Sequence, residues 1–177
     1  MKLLICIYEY PPYHTSGAGN VAYNVINELQ QRGVNCTVCS PISGNIKLCS
    51  RDLTEKIYGY GLLYHLYTIL YFWYKASRYI KKNSERYDAI WIHNPNPLSF
   101  NAGFQKNIVT IHSTYYGYPL AKSTPIRYIY YTIMAMFEKY AYKNIGEKFT
   151  AVSPQVCREL EELGVNKERI TYIPNGV

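Results

Sequence analysis

The hydrophobic positions of this chain follow two different periods. An almost entirely apolar run at residues 2–8 predicts a strand buried on both faces of a parallel sheet. Further short segments predict strands at 35–41, 88–93, 107–112, 148–152 and 169–174. Longer segments with apolar residues three or four positions apart predict helices at about 19–32, 60–82 and 125–143, and a short helix beginning at Ser153 and Pro154. Strands and helices therefore succeed one another along the chain. This order predicts one doubly wound α/β domain with a mostly parallel, Rossmann-like sheet.

The helix predicted at 60–82 has two contrasting stripes. One is apolar and contains Leu62, Leu66, Trp73, Ala76 and Ile80, so we expect it to face the core. The opposite stripe combines tyrosines with basic residues: Tyr64, Tyr67, Tyr71, Lys75, Arg78 and Lys82. Such a stripe is compatible with an anionic membrane surface, and equally with ordinary packing in which the polar tips stay in water.

Composition and charge narrow the function classes. With 177 residues and 48% hydrophobic composition, the chain is long and apolar enough to bury a core, which excludes a disordered chain. The net charge of +7 is concentrated between residues 56 and 143, which also hold most of the tyrosines. This stretch is the candidate contact for an anionic membrane surface, although a solvated basic face explains it as well. No nucleic-acid-binding motif accompanies the charge, so nucleic acid is not an expected partner.

The N-terminus and the cysteines bear on localisation. The first apolar run ends at Ile7 and is followed by Glu9 and two prolines, which is too short for a signal peptide. Five cysteines without a secretion signal favour reduced thiols. The sequence therefore predicts a cytoplasmic protein, with peripheral contact at the inner membrane face as an open alternative.

A glycine motif follows the first predicted strand. Gly17, Gly19 and Ala22 fit the spacing G-x-G-x-x-A of a dinucleotide-binding turn. That motif should follow the strand at once, and an acid should end the second strand, but a loop with two prolines precedes Gly17 and the second strand ends "VCSP". A nicotinamide-dependent oxidoreductase is therefore the weaker interpretation. The glycines still allow backbone amides to approach another phosphate, or serve only a turn.

Four stretches together resemble a known family. They are "YPP…SGAGNVAYNVINELQQRGVNCTV", "YDAIWIHNP", "NIVTIHSTYYG" and "FTAVSPQVCRELEELGVNKERITYIPNGV". The chain resembles the N-terminal domain of GT-B fold glycosyltransferases of group 1, the retaining enzymes of family 4. Residues 42–86 and 119–146 lie outside the matching stretches, where the family's acceptor side varies.

The resemblance implies a domain arrangement. In this family "IPNGV" lies at the junction between two domains, so residues 1–177 look like the acceptor-side N-terminal domain. The donor-binding C-terminal domain would follow Val177 and is absent from this chain. The resemblance therefore implies glycosyl transfer, of hexosyltransferase type, for the intact protein and no activity for this chain alone.

The resemblance also assigns candidate residues. The family's glycine loop falls on Ser16, Gly17 and Gly19, which would contact the diphosphate of the donor, although Ala18 separates glycines that are often adjacent. His112, in "TIHS", corresponds to the catalytic histidine beside the transferred sugar. The alternative for His112 is a strand-end histidine held by backbone hydrogen bonds.

Four further residues are candidates for the acceptor side of the cleft. His93, in "WIHNP", corresponds to a recurrent loop histidine that either contacts the acceptor or supports the fold. Glu9 and His14 flank the glycine segment and are placed to meet acceptor hydroxyls. Ser153 lies at a strand end facing the cleft, but it is better explained as a helix cap.

The implied reaction uses a nucleotide-sugar as donor and a glycan or lipid-linked molecule as acceptor. Amides at a helix N-terminus would stabilise the leaving diphosphate, and the phosphate itself would take the acceptor proton in a same-face attack. No D-x-D motif is present, so neither a metal nor another cofactor is implied. The rival interpretation is a non-catalytic α/β module that binds sugars or membranes.

Overall fold

A parallel sheet organises the molecule. The computed structural model describes residues 1–12, 16–49, 62–98, 100, 106–117 and 124–175, with the backbone alone at 62–66, 126–127 and 144. Within these ranges, seven strands form one sheet in the order β3-β2-β1-β4-β5-β6-β7, and all neighbours are parallel. The strands are β1 (Lys2–Cys6), β2 (Asn35–Ser40), β3 (Ile46–Lys47), β4 (Ala89–His93), β5 (Asn107–Ile111), β6 (Lys148–Ala151) and β7 (Ile170–Tyr172).

Helices cover both faces of this sheet. They are α1 (Gly17–Gln31), α2 (Leu62–Asn83), α3 (Pro125–Asn144) and α4 (Pro154–Glu162), with 3₁₀ turns at Ser84–Arg86 and Lys167–Arg169. Ala22 and Ile26 of α1 pack on one face against Ile5 and Val38. The other three helices pack on the opposite face, and the core there includes Leu4, Phe72, Trp73, Ile92, Ala141, Phe149 and Leu160. The predicted doubly wound, Rossmann-like α/β fold is confirmed.

The element boundaries differ from the predictions in two informative places. Strand β3 was not predicted, because two residues are too few to show a period. Helix α1 begins at Gly17 rather than near Gly19, since Ser16 caps it and its side chain accepts a hydrogen bond from the amide of Gly19. The two glycines therefore lie in the first helical turn and not in a loop before it.

Helix α2 largely has the two stripes that its sequence predicts. Trp73, Ala76 and Ile80 are buried, and Phe72 joins them although the pattern did not assign it to the core. The exposed side chains include Tyr67, Lys75, Arg78 and Lys82, while Tyr71 is half-buried. The pattern also assigned Leu62, Tyr64 and Leu66 to these stripes, but their side chains lie outside the part that the structure describes. In the described part of the chain, no helix combines the length and the apolar character needed to cross a membrane.

The strand order places a switch point beside β1. The chain adds β2 and β3 on one side of β1 and then starts again with β4 on its other side. The connections that leave β1 and β4 therefore diverge at the carboxyl ends of these strands. In open parallel sheets, ligands bind in the crevice that such a divergence creates.

Candidate functional site

A cavity of about 320 Å³ opens at this switch point. The segments that follow β1, β4 and β5 line it, at residues 7–9, 93–96 and 113–115. Helix α2 contributes Ile69 and Trp73, helix α3 contributes four polar or aromatic side chains, and Ala18 of α1 completes the lining. The cavity thus lies where the fold predicts a ligand site.

Two histidines lie together at this edge of the sheet. His93 ends β4 and His112 follows β5, and because these strands are neighbours, the two side chains meet. Nδ1 of His93 is 3.4 Å from Nε2 of His112, and the rings stack. His93 lines the cavity, whereas His112 is not among the lining residues, although Ser113 beside it is.

The loop after β4 orients His112. Asn94 has a positive φ of 40°, a conformation that asparagine tolerates better than most residues. The chain can therefore turn directly after the strand, and Oδ1 of Asn94 accepts a hydrogen bond from the backbone N–H of His112 at 2.9 Å. His112 thus combines a backbone tether to Asn94 with a side-chain contact to His93.

Burial keeps both imidazoles neutral. His93 is only 2% exposed, and burial, together with the nearby His112, lowers the pKa of His93 to about 3. Burial also lowers the pKa of His112, although the carboxylate of Glu9 acts in the opposite direction. Nε2 of His93 makes no hydrogen bond within the described part of the chain. The pair therefore presents neutral hydrogen-bonding nitrogens rather than positive charge.

Helix α3 places a carboxyl group on the other side of the cavity. Glu138 is 1% exposed, and its two oxygens accept hydrogen bonds from the backbone N–H of Tyr116 and the hydroxyl of Tyr142, each at 3.0 Å. Burial raises the pKa of Glu138 to about 7, although hydrogen bonds from the backbone of Tyr115 and Tyr116 and from the hydroxyl of Tyr142 act in the opposite direction. Near neutral pH, Glu138 therefore exists in both protonation states.

A second buried carboxyl group holds the loop that follows β5. Oε2 of Glu159, on α4, accepts a hydrogen bond from the hydroxyl of Thr114 at 2.7 Å, and the same hydroxyl accepts one from the amide of Gly117 at 2.8 Å. Thr114 also lines the cavity. The loop is thus tied to α3 through Glu138 and to α4 through Glu159.

The first turn of α1 lies at the same edge. The first amides of a helix have no acceptor within it, and the side chain of Ser16 satisfies the amide of Gly19 at 2.9 Å. The amides of Gly17 and Ala18 are then the ones that helix geometry leaves for another acceptor. A Cβ on Gly17 would meet nothing within 4 Å, whereas one on Gly19 would clash with the backbone carbonyl of Glu9. Gly19 is thus needed for close packing, and Gly17 faces open space.

The structure places the remaining predicted residues as follows. Glu9 lines the cavity. His14 lies outside the described residues. Ser153 caps α4, where its hydroxyl accepts a hydrogen bond from the amide of Val156 at 3.2 Å, and it does not line the cavity. The cap that its sequence context predicted is therefore present.

Sequence reasoning missed Asn94, Thr114, Tyr142 and above all Glu138. A signal for Glu138 was available, because it is the single acidic residue in the twenty residues of α3. An isolated acid in such a helix needs a specific partner when it is buried.

Over the described ranges, no three His, Cys, Asp or Glu side chains lie close enough together to hold a metal ion. The expectation that no cofactor takes part stays a prediction.

Fold and site together define a doubly wound α/β domain with a ligand cavity at its switch point. A family model for Glycosyltransferase Family 4 matches residues 15–177, and the chain belongs to this family. The family implies a sugar donor and an acceptor as substrates. A search of curated proteins finds no match to this sequence.

Proposed function

We propose that this chain forms the acceptor-side, N-terminal domain of a retaining hexosyltransferase. The enzyme moves a sugar from a nucleotide-sugar to a glycan or lipid-linked acceptor. The observation that carries the proposal is the switch-point cavity, since Ala18 of the first turn of α1 lines it together with His93, which contacts His112.

The donor diphosphate would approach the first turn of α1. Negative charge develops on the leaving diphosphate, and the amides of Gly17 and Ala18 supply hydrogen bonds to it. Because Ser16 and Gly19 fix this turn, the amides are held in place before the donor arrives. The donor-binding domain beyond Val177 belongs to the same proposal.

His112 would act at the transferred sugar. In its neutral form, His112 donates or accepts a hydrogen bond without adding positive charge beside a sugar that develops oxocarbenium character. His93 and Asn94 orient it from two sides. In a retaining, same-face attack, the leaving phosphate takes the acceptor proton, so this arrangement needs no general base from His112.

An exposed apolar face on α3 supports a membrane-borne acceptor. Side chains three or four positions apart lie on one side of this helix and are between 42% and 68% exposed: Ile129, Ile133, Met136 and Phe137. The other side of α3 lines the cavity through Tyr130, Tyr131, Glu138 and Tyr142. An amphipathic helix lying on a lipid surface would thus hold the cavity close to lipid-linked acceptors. The exposed Lys75, Arg78 and Lys82 of α2, which also lines the cavity, would favour anionic lipids.

The test is release of free nucleotide from UDP-, GDP- and ADP-sugars by the full-length gene product, with crude cellular lipids and glycans as acceptors. We expect turnover with one nucleotide class, and a loss of at least a hundredfold in His112→Ala, since this variant lacks the group beside the sugar. Asn35→Ala, at an exposed position where β2 begins at the opposite edge of the sheet, is the control and should retain activity. Binding of no nucleotide-sugar would instead favour the non-catalytic module.

A further inference from the structure

The charges around the cavity differ sharply from those of the whole chain. The chain carries a net charge of +7. Among the described residues that line the cavity, however, there are two carboxyl groups, Glu9 and Glu138, and no lysine or arginine. Phosphate and carboxylate ligands are normally bound by arginine, lysine or helix N-termini. The described lining of the cavity thus contains no cationic side chain for an anionic ligand.

The histidines do not supply the missing positive charge. Because burial lowers the pKa of both His93 and His112, their rings are neutral at physiological pH. The amides of Gly17 and Ala18 are assigned to the donor diphosphate in the proposed function. An acidic group beside Glu138, on the other side of the cavity, would face a like charge at low local dielectric, and no described lining side chain offers a compensating cation.

The polar atoms of the cavity instead suit hydroxyl groups. Nε2 of His93 is buried and without a hydrogen bond among the described residues, although His93 lines the cavity. A buried nitrogen of this kind gains a partner when a ligand hydroxyl reaches it. Glu138 accepts from the backbone of Tyr115 and Tyr116 and from the hydroxyl of Tyr142. A carboxylate has about four acceptor positions, so one remains for a further hydroxyl.

The size of the cavity and its apolar lining also favour a sugar ring as the ligand. A cavity of about 320 Å³ lies at the small end of ligand sites, which suits a single ring rather than an extended oligosaccharide. Trp73, Tyr130 and Tyr131 line it, and aromatic rings offer apolar faces for the C–H groups of a sugar ring.

We propose that this cavity binds one uncharged, hydroxyl-bearing sugar ring of the acceptor and rejects acidic sugars, with His93 and Glu138 as the residues that set this choice. The inference rests on the proposed function, because it identifies the cavity as the acceptor site. It goes further by naming the chemical class of the group that enters.

The experiment compares ligand pairs that differ only at C6. The methyl glycosides of glucose, galactose and mannose are titrated into the full-length gene product by NMR, each beside the corresponding methyl uronide. We expect at least one uncharged glycoside to bind tenfold or more tightly than its uronide at about pH 8, where Glu138 is largely ionised. Equal or tighter binding of the uronides, or no binding of any glycoside, would overturn the proposal.

Substitutions test whether the cavity causes the preference for uncharged glycosides over uronides. In Glu138→Gln the ratio of the two affinities should fall at least threefold, whereas a purely structural role of Glu138 would weaken both ligands equally. Glu9→Gln, at a partly exposed position, provides a second variant if Glu138→Gln does not fold, and it should lower the ratio too. Glu28→Gln removes the same charge near the other end of α1 and should leave the ratio unchanged. A ratio unchanged in both cavity variants would contradict the proposal.

The outcome is separable from that of the proposed function, because binding is read without a donor. Selective binding without sugar transfer would support this inference and contradict the proposed glycosyltransferase activity. Sugar transfer to an acidic acceptor would support the proposed activity and contradict this inference.

Discussion

His93 and His112 stack with ring centroids 5.6 Å apart and planes 20° from parallel. The contact between Nδ1 of His93 and Nε2 of His112 requires one nitrogen to carry the hydrogen and the other to be bare. Two imidazolium rings in these positions would both present hydrogens and would repel each other. The arrangement therefore exists only while at least one ring is neutral, which gives the site a specific dependence on pH.

The first prediction separates two opposing effects of pH on stability. His93 has a lowered pKa in the folded state, so the stability it contributes is present above about pH 6.5 and is lost as the pH falls toward 3. Glu138 has a raised pKa, so its contribution is present below about pH 4.5 and is lost as the pH rises through 7. Between these limits the two slopes oppose each other, at up to about 1.4 kcal/mol per pH unit each.

The measurement is the free energy of unfolding by urea between about pH 5 and 6.5. Relative to the unsubstituted chain, stability should rise more steeply with pH in Glu138→Gln and less steeply in His93→Gln. Identical slopes in all three proteins would show that neither group titrates as its burial implies.

The second prediction concerns the two glycines of α1. Gly19→Ala places a methyl group against the carbonyl of Glu9, so we expect it to lower the free energy of unfolding by about 1–3 kcal/mol. Gly17→Ala places its methyl group in open space, and should change stability by less than about 1 kcal/mol. Thermal and urea unfolding of the two variants compares them directly, and equal losses would contradict the close approach at Gly19.

The third prediction isolates the amide of Gly17. Gly17 is the first helical residue, where proline is accommodated well, and Ser16 before it has the extended backbone that a following proline requires. Gly17→Pro should therefore fold, yet lack the N–H proposed to bind the donor. We expect KM for the nucleotide-sugar to rise at least tenfold in Gly17→Pro and much less in Gly17→Ala, which keeps the amide. Equal KM values in the two variants would remove this amide from donor binding.

The fourth prediction concerns the apolar face of α3. The full-length gene product should co-sediment with vesicles that contain anionic lipid, more strongly at low than at moderate salt. The double variant Ile133→Asp and Met136→Asp should lose most of this binding, because it places charges on the face that would enter the lipid. Val25→Asp, at a similarly exposed apolar position on α1, is the control and should bind like the unsubstituted protein. Absence of vesicle binding at either salt concentration would end the membrane proposal.

The sequence predicted the sheet well because strands buried on both faces are almost continuously apolar, as β1 and β4 are. It also placed His93 and His112 at one edge of the sheet, because the carboxyl ends of parallel strands lie at the same edge. It could not show that the two rings touch, because that depends on which strands are neighbours.

The burial of Glu138 could not be predicted from the sequence. Its position in α3 can be read, but its burial depends on how α3 packs against the loop that carries Tyr116. The apolar face of α3 was also hidden, because tyrosine and methionine occur on both the exposed and the buried side of this helix. Only packing decides which of these residues face the core.

The two working parts of the site belong to opposite faces of the sheet. Helix α1, with its capped first turn, packs on one face, and α3, with the side chains that line the cavity, packs on the other. After gene duplication, substitutions in α3 alone would reshape the cavity while leaving the first turn of α1 intact. Under the proposed function, a lineage built on this scaffold would diversify its acceptors while it inherits one way of binding the donor.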